Sequence, residues 1–196
     1  MNNDNLHTNK HASSTYTKII STFKQLVIEK NFEKLSVAEI SSACSISRKT
    51  FYQYFRDKND IVDQIFLNEI ILPLKQLRSL SSSLEIPALT IMSWMYEQLY
   101  NNRIFYTRIN YFTGQNSLFD IIIDQTSEMI AETINQLPIP TYVKEYTIYF
   151  YAASHSLIIK KWISEGMQVH PKEMAKMYEL WTIPNFENMT KESNKN

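Results

Sequence analysis

Glycine is nearly absent from this 196-residue chain, which holds only Gly114 and Gly166. Hairpin-rich folds and phosphate-cradling loops use glycine for its positive φ. The shortage therefore points to helices joined by short polar turns. Cys44 is the only cysteine, which excludes an intramolecular disulfide and a cysteine-built zinc site. No apolar run approaches the roughly 20 residues that span a bilayer. Residues 1–13 lack the apolar core of an export signal, so a soluble cytoplasmic protein without membrane partners is expected. The motifs of common enzymes are missing as well: no P-loop, H-E-x-x-H, nucleophile elbow or G-x-G-x-x-G occurs. Cys44 falls on the apolar face of its segment, a poor place for a nucleophile. His7 and His11 are four apart but have no third ligand in view. The expectation is no catalytic residue, no cofactor and no metal.

What is present is an uneven distribution of charge. The totals balance, 20 Lys+Arg against 20 Asp+Glu. Residues 1–60 nevertheless carry nine cations and six anions, and residues 61–196 carry eleven and fourteen. A basic head on an acidic body suits a DNA-binding module carried by a larger one.

The head reads as three helices. Residues 1–13 are polar and are expected to form a disordered tail. Tyr16, Ile19, Ile20, Phe23, Leu26 and Val27 then follow helical spacing. Ser36-Val37-Ala38-Glu39 has the serine-to-glutamate interval of a capping box, and Ile40 and Cys44 continue its apolar face. Ser45-Ile46-Ser47 is a tight turn, and Ser47 caps a short helix from Arg48 to about Phe55. Asp57 to Asp60 forms a second box-like start. Two helices joined by a tight turn make a helix-turn-helix, whose second helix enters the major groove. Phe51 and Phe55 anchor that helix inward. Arg48 can donate two bonds to guanine, and Gln53 can pair with adenine. Ser47 suits a phosphate at a helix start, and Lys58 can neutralise another.

Residues 14–62 resemble the DNA-binding domain of TetR-type regulators. The resemblance is carried by Ile40, Cys44, Ile46 and Ser47 leading into Thr50-Phe51-Tyr52-Gln53-Tyr54-Phe55, followed by Lys58. It implies phosphate contacts from Ser36, Tyr54 and Lys58. It also implies that Arg48, Lys49, Thr50, Tyr52 and Gln53 face the major groove. Two departures stand out: Ser45 and Lys49 occupy positions where the family often has glycine. If the first needs positive φ, Ser45 carries strain of roughly 1 kcal/mol. Ile159 to Met167, followed by Pro171, resembles the C-terminal domain of the DhaS-like subgroup.

The expected architecture is all-α. A helix-turn-helix domain spans residues 14–60, a helical regulatory and dimerisation domain 61–184, and a polar tail 185–196. Five helices are expected in the body, near 87–100, 103–112, 117–137, 141–166 and 171–181, with Gly166 as a C-cap and Pro171 in a first turn. Ser79–Ser83 reads as a linker, and Pro73 as a kink. Aromatics crowd residues 94–151, either around a ligand pocket or as ordinary core. Trp94, Phe105, Tyr111, Phe112, Tyr151 and His155 are the ligand candidates. Asp120, Asp124, Glu128 and Glu132 form an acidic row, either a solvated face or a site for a cation or basic partner. By the resemblance the last two helices form a four-helix dimer interface, with Ile148, Ala152, Ile159 and Trp162 as candidates. The expected function is a homodimeric repressor that binds a palindromic operator in double-stranded DNA and is released by a small-molecule effector. The alternative is a regulator, including an activator, controlled by a protein partner.

Overall fold

In the computed structural model, which describes residues 4–84, 88–109 and 118–181, the regular elements are all helical. They are α1 (Asp4–Glu29), a 3₁₀ turn (Phe32–Lys34), α2 (Val37–Ala43), α3 (Arg48–Phe51), α4 (Lys58–Phe66) and a π-helical turn (Leu67–Ile71). Then follow α5 (Leu72–Leu84), α6 (Ala88–Asn101), α7 (Arg103–Ile109), α8 (Leu118–Ile134) and α9 (Thr141–Ser164). A last helix, α10, covers residues 171–181.

Two local expectations need correction, and a third gains a structural context. Residues 4–13 are not a tail but the first turns of α1. Neither proline nor glycine occurs in Asp4–Glu29, and once nucleated a helix gains one bond per added residue. Ser79–Ser83 is not a linker, because α5 runs through it to Leu84. Pro73 sits at the second position of α5, directly after the π-helical turn. A wider turn there accommodates the missing N–H and the bulky ring that an α-helical interior tolerates poorly.

The chain forms two compact units. One comprises Met1–Phe66 with Ile104–Asn110; the other comprises Leu67–Arg103 with Tyr111–Asn196. The boundary expected at residue 60 thus moves to the end of α4, and most of α7 joins the head. The reason is packing. Phe105 meets Phe23 edge-on at 6.2 Å and Tyr106 meets Phe66 at 6.3 Å. These residues, with Ile19, Val27, Ile40, Cys44, Phe51, Phe55, Ile61 and Ile65, form the buried head.

The second unit is built on α9. Ile130 and Ile134 of α8 pack against Tyr151 and Ala152 of α9, with Leu137 and Ile148 at the margin. The acidic row of α8 is partly paired rather than merely solvated: Lys75 reaches Glu128 at 2.6 Å and Arg78 reaches Glu132 at 2.9 Å. α9 ends in a Schellman motif. Met167 N–H donates to Trp162 O (2.8 Å) and Gly166 N–H to Ile163 O (3.0 Å), with Gly166 at φ +76°. Gly166 thus stands just past the cap, as expected. Pro171 opens α10, where its missing N–H costs nothing.

Candidate nucleic-acid interface

α2 and α3 are held by their caps. Ser36 Oγ accepts from Glu39 N (3.3 Å), and Glu39 Oε2 accepts from Ser36 N (3.0 Å), a complete capping box. Lys30 adds an ion pair to Glu39 at 3.1 Å. The bond from the Ser36 backbone, chiefly, with the Lys30 ammonium behind it, holds the Glu39 carboxyl down at about 2. The turn between α2 and α3 is a second Schellman motif. Ile46 N–H donates to Ser41 O (3.0 Å) and Ser45 N–H to Ser42 O (2.9 Å). Ser45 therefore sits at φ +52°, a left-handed conformation that favours glycine. The strain anticipated from the sequence is in place.

α3 is shorter than the eight residues expected. Regular α-helix ends at Phe51; Tyr52 N–H bonds back to Arg48 O, Gln53 N–H to Thr50 O, and Tyr54 and Phe55 N–H to Phe51 O. Ser47 caps it, accepting from Thr50 N at 3.0 Å, and its hydroxyl also bonds Thr50 Oγ1 at 2.9 Å. Phe51 and Phe55 are buried, and Phe55 stacks on Tyr16 at 5.2 Å. With that side anchored, Arg48, Lys49, Tyr52 and Gln53 are exposed together, while Thr50 and Tyr54 are half-buried. Four of the five residues expected to read bases are therefore exposed, and Thr50 is not among them.

The predicted phosphate contacts fare differently. The Ser36 and Ser47 hydroxyls already have partners within their own caps. Lys58 Nζ donates to Phe32 O (2.8 Å) and Glu33 O (2.9 Å) and lies 4.7 Å over the Phe32 ring. Asp57 supplies the cap of α4, accepting from Asn59 N and Asp60 N. Asp60 does not close a box with Asp57; it accepts from Arg56 N at 2.7 Å and pairs with the Arg56 guanidinium at 3.4 Å. Arg56 is an exposed cation beside the reader that was not anticipated. Its signal was its place between the reading helix and Lys58. Asp63, half-buried and facing Asp60, has its carboxyl pushed up to about 6, first by burial and then by that neighbour.

The ligand and dimer candidates of the body are also redistributed. Phe105 belongs to the head, against Phe23, so it is not part of a body pocket. Tyr111 and Phe112 lie outside the described residues. Trp94 is half-buried. Tyr151 and His155 are buried on α9, where His155 Nε2 bonds the Tyr96 hydroxyl at 2.9 Å. The His155 ring lies 4.5 Å from that of Tyr178, and burial pushes the imidazole down to about 4. Ala152, Ile159 and Trp162 are buried inside the protomer, and Ile148 packs against α8. Ala152, Ile159 and Trp162 thus belong to the chain's own core, while Ile148 is half-buried at its margin. The face of α9 that is open instead carries Tyr142, Tyr146, Tyr149, Phe150 and Leu157, with Tyr146 75% exposed. Its signal was the four-residue interval joining Tyr142, Tyr146 and Phe150.

An all-α chain with a capped helix-turn-helix, its reading face outward, on a separate helical unit defines a class: helix-turn-helix regulatory proteins. The comparisons narrow this. Residues 19–65 match the model for bacterial regulatory proteins of the tetR family, and residues 89–181 match that for a transcriptional regulator C-terminal region. The chain belongs to the TetR family of transcriptional regulators. It is 26% identical to the transposon Tn10 TetC protein of Escherichia coli over 72 residues, 37% of this chain and 36% of that protein. It is 30% identical to the HTH-type transcriptional regulator YvdT of Bacillus subtilis (strain 168) over 69 residues, 35% of this chain and 36% of the relative. These alignments span about a third of each relative's length. Among solved structures, the dihydroxyacetone kinase operon activator DhaS superposes with TM-score 0.64 at 18% identity, covering 89% of this chain and 97% of that one. The fatty acid degradation regulator FadR from Bacillus halodurans gives 0.56 at 13%, covering 90% and 94%. No helix among the described residues is long and apolar enough to cross a membrane.

Proposed function

We propose that this chain is a cytoplasmic, homodimeric repressor that reads a palindromic DNA operator through α3 and releases it when a small molecule occupies the helical body. The observation that carries the reading is the exposed set Arg48, Lys49, Tyr52 and Gln53 on α3 and the turn that follows it, an element anchored inward by Phe51 and Phe55. Such a set gives bidentate donors for guanine and an amide for adenine, on a support stiff enough for position to matter.

Dimerisation is supported by α9. Its inner face is the core of its own unit, yet its outer face is a row of aromatic side chains. Apolar residues on both sides of a helix call for cover on both, and a second copy laid against that row supplies it. Two reading helices would then sit one DNA turn apart, roughly 34 Å. Effector control is supported by the topology. The chain passes between its two units at Phe66, Arg103 and Asn110, so a change of state in one unit reaches the other through three covalent connections. A ligand with different affinities for two states shifts the balance between them.

A second reading has its own observation. The recess beside the aromatic row, about 370 Å³ and lined by Tyr142, Val143, Tyr146, Thr147, Phe150 and Tyr151, lies along the outer face of α9. An exposed apolar groove suits a protein partner. Under this reading a co-regulator occupies it and the chain is an activator, the role that its name gives to DhaS.

Selection of the purified protein on random duplex DNA at two salt concentrations tests the proposal. One palindromic motif supports a dimeric, sequence-specific regulator. Binding without a motif, or no binding at either salt, refutes it.

A further inference from the structure

We propose that Lys58 is the positioning residue of the reading element: it clamps the start of α4 to the α1–α2 connection and so holds α2 and α3 between two tied points. The inference rests on the DNA-binding reading above and changes what Lys58 does within it. Resemblance implies that this lysine neutralises a phosphate. The geometry gives its ammonium other work. An ammonium has three N–H donors, and two of them serve Phe32 O and Glu33 O, at 2.8 and 2.9 Å. The cation also lies over the Phe32 ring, and Phe32 is itself buried, edge-on to Phe23 of α1.

The third N–H remains on a half-buried ammonium, so the clamp is given up only if the side chain swings away from the carbonyls. Swinging out to a phosphate would strip both carbonyls of their charged donor and give up the contact with the ring. Lys30 ties the end of α1 to Glu39 of α2 (3.1 Å) and Phe55 stacks on Tyr16, but neither contact reaches the start of α4. The bonds of Ser36, Ser47 and Asp57 are all made within their own caps, to residues two or three positions away. Lys58 alone among these polar groups reaches across the sequence, 25 and 26 positions back. The segment it closes contains Ser36, α2, the strained turn at Ser45, and α3. A reader on such a segment keeps its register on the bases only while both ends stay fixed, because base contacts tolerate little displacement.

A phosphate contact and a clamp differ in what they change. A phosphate contact weakens binding to every duplex alike and lowers the salt slope by about 1 for each subunit. A clamp acts on specific binding alone. The experiment uses the full chain with Lys58→Met and Lys58→Gln. Affinity is measured by fluorescence anisotropy for the selected operator duplex and a scrambled one, each at several salt concentrations. The expected result for Lys58→Met is a loss on the order of tenfold for the operator, with the scrambled-duplex affinity and the salt slope unchanged. Lys58→Gln offers an uncharged N–H pair to the same carbonyls, so it should recover part of the operator affinity. Equal losses on both duplexes, a slope lowered by about 1 per subunit, no recovery by glutamine, or an unchanged operator affinity in Lys58→Met would each overturn the clamp. Should Lys58→Met lose its helical circular dichroism, Lys58→Gln is judged alone by the ratio of operator to scrambled affinity. An operator that the wild-type chain fails to select would instead be a failure of the DNA-binding reading itself.

Discussion

α3 and α9 both offer an exposed face, and they are built by opposite means. α3 is a single turn held by caps, its polar residues outward and two phenylalanines inward. Its stability is borrowed from the head core, and its face is legible because only one side has to be apolar. α9 is 24 residues long, with a buried apolar side and exposed aromatic residues interspersed with Glu145 and Lys161 on the other. Its inner face completes its own unit, and its outer face waits for cover. Under the proposed function, one face would meet a charged, hydrated duplex and the other would be covered by a second copy.

That contrast can be tested from its strongest consequence down. Replacing Tyr146 and Phe150 together by glutamate should leave the protomer folded, since both side chains are exposed. Sedimentation should then report a monomer, and operator affinity should drop roughly 10³-fold as the two heads lose their linkage. A dimer of unchanged mass would remove the proposed role of the α9 row.

Protonation should separate the two units next. His155 is held down at about 4 by burial, so the unfolded chain takes up a proton first as pH falls. Its contribution is complete above about 6.5 and is lost progressively toward pH 4, amounting to roughly 3 kcal/mol. Asp63 in the head works with the opposite sign. Its carboxyl is raised to about 6, so the unfolded chain ionises first and stability falls as pH rises from about 4 to 6. Denaturant melts across this range should show the acid-side loss flattened in His155→Leu and the opposing trend flattened in Asp63→Asn. Identical pH profiles in all three proteins would contradict both assignments.

Smaller effects belong to the reader. Arg48→Ala should relax preference at one position of each half-site by roughly 1–3 kcal/mol, with the fold intact. A uniform loss across all operator variants would show a phosphate contact instead.

The smallest effects compare the two Schellman turns. Ser45 and Gly166 hold the same place in the same hydrogen-bond ring, both with positive φ. Ser45→Gly should stabilise by about 0.5 kcal/mol, the relief of left-handed strain less the added freedom of the unfolded chain. Gly166→Ala should destabilise by about 1 kcal/mol. Thermal melts showing the same sign for both would break the equivalence.

The head was the more legible region because its signals are local. A capping box, a turn serine and a helix cap each act over three or four residues, so Ser36, Ser45 and Ser47 announce their roles in the chain itself. The buried pair Phe51 and Phe55 and the exposed set around Arg48 follow from helical spacing. Lys58 did not follow, because its partners are the carbonyls of residues 32 and 33. In the body, Ile148, Ala152, Ile159 and Trp162 were read as an outer face although they point inward or pack on α8. A helix with apolar residues on both sides does not mark which way is out. Phe105 was misplaced for a similar reason: the sequence puts it in the body, while its ring belongs with Phe23.

The amino-acid sequence by itself determined the helical class, the helix-turn-helix with its caps, the turn at Ser45 and the exposure of Arg48, Lys49, Tyr52 and Gln53. These depend on short-range hydrogen bonds and on a 3.6-residue period, which a linear chain displays. Only the tertiary structure decided which side of α9 is open, that α7 belongs to the head, that Arg56 is tied to Asp60, and that Lys58 closes the reading element. Those features depend on which distant segments meet, and that is set by packing across the whole core rather than by any local pattern.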